Sequence, residues 1–116
     1  KNTIVIVLSL FILLVIPNCE NSTEPVLYSV KYEVTGTAKI VLITFQNESA
    51  ETSLIENASV PWTYNFSELK PPGTYVYLSA HNVGTGEAIV TIYRNGSVFK
   101  RGYSSGVYMA AVSGSL

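Results

Sequence analysis

The chain has 116 residues, 47% of them hydrophobic, and its 7 lysines and arginines nearly balance 8 acidic residues, for a formal net charge of −1. This length suits one domain with a real core, and the charge gives no basic field for nucleic acid. Aspartate is absent, and histidine and cysteine each occur once, which leaves too few groups for a metal cluster or a catalytic constellation. The expectation is a non-enzymatic domain with no cofactor and no metal site.

Residues 1–18 carry one positive charge and then an apolar run from Ile4 to Ile16, broken only by Ser9. About 13 helical residues rise about 20 Å, short of the roughly 30 Å hydrocarbon core, so the segment reads as a signal leader rather than a permanent span. Cys19 follows directly and resembles the lipid-modified cysteine of bacterial lipoproteins. Ile16 fits the aliphatic position three residues before it, and Pro17 and Asn18 are looser matches. The alternative is a retained N-terminal anchor helix with Cys19 a free thiol. Residues 19–25 are polar and read as a tether, which leaves 26–116 as the folded domain.

From Val26 onward the patterning is that of strands. Tyr28, Val30, Tyr32 and Val34 alternate with polar residues, a strand with one wet face. Residues 39–46 are nearly continuously apolar, which at this length predicts a central strand covered on both faces. Residues 47–57 are polar except for Leu54 and Ile55, and predict a loop with at most one short edge strand. Pro61 confines 60–66 to an edge position or a strand start, with Trp62, Tyr64 and Phe66 turned toward the core. Lys70-Pro71-Pro72-Gly73 is a turn, and 74–81 follows as a strand. The strongest local signal is 87–99, two β-branched and aromatic runs joined by Asn95-Gly96, the dipeptide suited to a type I′ hairpin. Gly102 and 104–106 punctuate, and 107–113 supplies a last strand. About seven short strands without a helical period predict an all-β antiparallel sandwich.

Five runs, in order along the chain, resemble the soluble domain of the MmpS family of small mycobacterial membrane proteins. They are residues 30–36 (Val-Lys-Tyr-Glu-Val-Thr-Gly), Val60-Pro61-Trp62, Leu78-Ser79-Ala80, 90–96 (Val-Thr-Ile-Tyr-Arg-Asn-Gly) and Gly106-Val107-Tyr108. The resemblance implies an Ig-like sandwich outside the membrane that assists a membrane transporter. It also implies that the positions of the family's disulfide fall at Val90 and Ala111, where an apolar pair would fill the same buried space. The apparent lipid anchor replaces the family's membrane-spanning helix.

Alternation with Val76, Leu78, Ala80, Val90, Ile92 and Ala111 inward turns Tyr75, Tyr77, His81, Tyr93 and Tyr108 outward, as a candidate binding surface on one sheet. Amphipathic aromatics of this kind suit a membrane-protein partner, an apolar ligand or a glycan. The competing reading is a tyrosine corner, with Tyr75 and Tyr77 turned inward. His81, alone at a strand end, reads as a hydrogen-bonded surface residue rather than a base. Asn21, Asn47, Asn57, Asn65 and Asn95 each head an N-x-Ser/Thr sequon, whereas 8 asparagines among 23 serines and threonines give about 1.6 by chance. Turns favour the same residues, so the excess has a bland source too. Two functions remain. One is an extracytoplasmic, membrane-anchored binding or accessory module of the cell envelope, and the other is a structural or adhesive surface protein without a discrete ligand.

Overall fold

The computed structural model describes residues 25–116, so the leader, Cys19 and the Asn21 sequon lie outside the described residues. Eight strands form: β1 (Val30–Thr35), β2 (Ile40–Gln46), β3 (Thr52–Ser59), β4 (Trp62–Asn65), β5 (Tyr75–Asn82), β6 (Glu87–Arg94), β7 (Ser97–Ser105) and β8 (Met109–Ser115). They pair antiparallel into two four-stranded sheets, β4-β1-β6-β7 and β3-β2-β5-β8. The fold is an all-β sandwich, with eight strands where about seven were expected.

Alternation builds the core. Val30, Tyr32 and Val34 of β1 and Ala88, Val90 and Ile92 of β6 face Val41, Ile43 and Phe45 of β2 and Val76, Leu78 and Ala80 of β5, all buried. The Asn95-Gly96 turn closes the β6–β7 hairpin with positive φ at both residues, 52° and 80°, as type I′ geometry requires. On one side of the sandwich β7 packs against β8, an approach that depends on Gly102. A Cβ there would meet Val112 Cγ1 at 2.9 Å and the Ala111 carbonyl oxygen at 3.2 Å. The opposite side is bounded by the edge strands β3 and β4.

An aromatic cluster fills the end of the core near the start of β1. The Tyr32 ring lies 5.9 Å from Phe45 and 5.3 Å from Phe66, both edge-on. Trp62 stacks on Tyr64 at 6.4 Å and lies 5.2 Å from Phe45. As expected from alternation, Trp62, Tyr64 and Phe66 pack half-buried against the core.

Four expectations are corrected. In place of a loop over 47–57 with at most one short edge strand, an eight-residue edge strand, β3, begins at Thr52 and runs to Ser59. An edge strand turns much of its surface to water, so only Ile55 and Ala58 pack on the core and the apolar signal is faint. Gly102 lies within β7 rather than ending it. The central strand β2 is covered on its inner face alone: Ile40 is exposed, and Leu42 and Thr44 are half-buried. Finally, Val90 is buried in β6, but Ala111 points outward from β8, since the inward residues there are Ala110 and Val112. The two positions do not form a buried pair.

Candidate functional site

The outer faces of the two sheets differ in chemistry. On β4-β1-β6-β7, charged and aromatic side chains bond to one another. Tyr93 donates to Glu33 Oε1 at 2.7 Å, and Lys31 Nζ sits 5.4 Å from the Tyr93 ring centroid. Arg101 Nε donates to Thr91 Oγ1 at 3.1 Å, and Tyr103 donates to Glu87 Oε1 at 2.8 Å. Donating to a carboxylate holds the Tyr93 and Tyr103 phenols above their ordinary range, because ionising the phenol would set two negative charges side by side. Tyr93, one of the expected surface residues, is therefore committed to its own sheet.

The outer face of β3-β2-β5-β8 is uncharged over three strands. Outward residues are Ile40, Leu42, Thr44 and Gln46 on β2, Tyr75, Tyr77, Ser79 and His81 on β5, and Met109, Ala111, Ser113 and Ser115 on β8. No Lys, Arg or Glu stands among them. Cross-strand pairs set Tyr75 beside Ser115, Tyr77 beside Ser113, Ser79 beside Ala111 and His81 beside Met109. The small pair Ser79–Ala111 makes a floor between the Tyr77 and His81 side chains. Tyr75 is 51% and Met109 57% exposed, so the inward tyrosine corner does not form at Tyr75.

At the far end of this surface the β7–β8 turn carries Val107 and Tyr108, exposed by 63% and 73%. His81 Nε2 lies 3.0 Å from the Val107 carbonyl oxygen, which makes Nε2 the protonated nitrogen and ties the turn to β5. Tyr108 thus faces out, but because it sits in a turn and not by strand alternation. The expected five-residue surface is divided: Tyr75, Tyr77 and His81 lie on one sheet with Tyr108 in the turn at its end, and Tyr93 lies on the other. Beside them, Ile40, Leu42 and Val83 border a shallow cavity of about 270 Å³.

The chain enters the sandwich at the opposite end. Tyr28 pairs with Lys70 through two backbone bonds of 2.8 Å, and Ser29 donates to Asn95 Oδ1 at 2.9 Å. Residue 25 therefore adjoins the end that holds Tyr75, and the β5–β8 surface runs from there over about 25 Å of strand to Tyr108.

Sequence reasoning missed Ile40, Leu42, Met109 and Ala111 as surface residues. For Ile40 and Leu42 the signal was present in the apolar run of 40–46, which holds more apolar residues than one buried face needs, but such a run alone does not say what covers it. No group of three or more metal-ligating side chains occurs among the described residues, and no described helix is long and apolar enough to cross a membrane. No protein-family model matches this chain, and no curated protein matches its sequence.

Proposed function

We propose that the chain is a membrane-anchored, extracytoplasmic accessory module that binds a membrane-protein partner through the outer face of β5 and β8. The observation that carries this reading is the uncovered face beside the central strand. Ile40 and Leu42 of β2 and the uncharged outward residues of β5 and β8 form a surface suited to burial against protein. Its polar groups are neutral hydroxyls, an amide and an imidazole, and these fit a protein surface better than a phosphate or a nucleic acid.

The entry point of the chain argues for a partner in the same membrane. With the anchor at residues 1–19, the Tyr75 end lies nearest the bilayer and Tyr108 farthest, so a neighbour rising from the membrane can lie along the whole surface. The resemblance of five ordered runs to the MmpS family supports a transporter as that neighbour. Site-specific photo-crosslinking in intact membranes tests the reading. A crosslinker at position 111 is expected to give a discrete adduct with a membrane protein, and one at Arg101 on the opposite face is expected to give none. Equal labelling from both faces, or adducts only with surface polymer, overturns it.

A further inference from the structure

Four of the five sequons fall among the described residues, and the fold sorts them into two kinds. Asn47 is half-buried at the β2–β3 turn. Its Nδ2 donates to Ser53 Oγ at 2.9 Å, and its Oδ1 accepts from the backbone N–H groups of Ser49 and Glu51 at 2.9 and 3.0 Å. Asn95 forms the hairpin turn, with its Oδ1 accepting from Ser29 N at 2.9 Å and Ser29 Oγ at 3.4 Å. Both carboxamides hold the backbone in place.

Asn57 and Asn65 are exposed, and neither side chain makes a hydrogen bond among the described residues. Asn57 lies on β3 at the bulge where Glu56 and Asn57 fall between the Val41–Ala58 and Ile43–Ile55 pairs, with φ 55°. Asn65 is the last residue of β4, paired with Lys31. These two strands are the edges that bound the open side of the sandwich, one from each sheet. Each asparagine also borders a surface cavity. The one at Asn57 measures about 270 Å³ over Ile40, Leu42 and Val83, and the one at Asn65 about 390 Å³ beside Lys31, Phe66 and Tyr93.

We propose that Asn57 and Asn65 carry N-linked glycans that shield the β3 and β4 edges, whereas Asn47 and Asn95 stay unmodified. Unpaired edge strands template pairing with other chains, and a hydrated glycan at each edge blocks that approach. In the transfer, Asn Nδ2 attacks the anomeric carbon of a sugar carried on a lipid pyrophosphate. The C–N bond forms and the C–O bond to phosphate breaks. The lipid pyrophosphate leaves with that electron pair, and the amide proton passes to a base of the transferase. The amide nitrogen becomes nucleophilic only when twisting uncouples it from its carbonyl, and the transferase must supply that twist against the resonance of the amide. A side chain free of hydrogen bonds is available for capture by the transferase, and one pinned like Asn47 is not. The glycan at Asn57 borders the proposed partner surface on its β3 side and leaves β5 and β8 open. The modification rests on the extracytoplasmic reading only for access to the transferase.

Two measurements test this. Glycopeptide mass spectrometry of the full chain from its own cell membranes is expected to find Asn57 and Asn65 occupied and Asn47 and Asn95 bare. The folded chain, incubated with a purified oligosaccharide transferase and a lipid-linked oligosaccharide, is expected to show the same choice, which tests the acceptor sites apart from localisation. N57Q and N65Q should each remove one glycan's mass, the double variant both, and N47Q none. Occupancy of Asn47 or Asn95, or bare Asn57 or Asn65 in the incubation, overturns the structural sorting. A bare native chain overturns the modification in the cell even when the incubation succeeds.

Discussion

Tyr32 links the two sheets through a buried hydrogen bond, and removing its hydroxyl should cost the sandwich more than the atom's size suggests. The ring is fully buried on β1, and its hydroxyl donates to the Gln46 carbonyl oxygen at 2.7 Å, where the β2–β5 ladder runs out past Phe45–Leu78. Tyr32→Phe keeps the ring and leaves the Gln46 carbonyl without this buried partner. The expected loss is about 2 kcal/mol, or about 8–16 °C in Tm for a domain of this size. Tyr32→Ala also opens a cavity among Phe45, Tyr64 and Phe66, for about 3–5 kcal/mol. Trp62, the sole tryptophan, sits in this cluster, so its fluorescence during urea titration reports the loss directly. A Phe variant within about 0.5 kcal/mol of the parent, at unchanged m-value, would refute the bridging role of the hydroxyl.

Alkaline pH should act on the same residue. Burial raises the Tyr32 phenol above its ordinary 10.0, so the unfolded chain releases its proton first as pH climbs. Stability is therefore intact below about pH 10 and falls above it, and Tyr32→Phe should flatten that fall in urea titrations run from pH 8 to 11. Asn82 is buried and organises the β5–β6 loop: its Nδ2 donates to the carbonyls of Thr85 and Gly86 at 3.2 and 3.1 Å, and its Oδ1 accepts from Gly84 N–H at 3.0 Å. Asn82→Ala should destabilise by about 2–4 kcal/mol and speed amide exchange at 83–86, and unchanged exchange there would contradict the role. Cys19→Ser should abolish incorporation of labelled fatty acid and release the domain from the membrane fraction. A variant that stays bound, with a parent that was never labelled, would show a retained anchor helix instead.

Strand periodicity carried most of the fold. The alternations in 28–34, 74–81 and 87–93 are legible because one face of each is buried and the other wet, and Asn95-Gly96 fixes its turn through backbone conformation alone. β3 was obscured because Thr52, Glu56 and Asn57 face water on an edge. The placement of Tyr93 failed for another reason. Alternation tells which residues of a strand share a face, but which sheet the strand joins depends on pairing between distant segments, here β1 with β6 and β2 with β5. The parity of β8 failed by one residue because Ala111 was set inward as the place of the family's disulfide, whereas the strand turns Ala110 and Val112 inward. Tyr75, Tyr77 and His81 were readable as a surface, but the neighbours that make it an uncharged face, Leu42, Met109 and Ala111, come together only in the sheet.

Ala111 lies near the middle of that face, exposed, opposite buried Ser79, so a charge there changes the surface while leaving the core alone. The most direct measurement is co-purification from solubilised membranes of the protein adducted at position 111, comparing the parent with Ala111→Glu. Both chains should give the same urea midpoint within about 0.5 kcal/mol, and the glutamate should abolish recovery of the partner because its charge would be buried unpaired in the contact. Undiminished recovery with Ala111→Glu would contradict a docking role for the β5–β8 face.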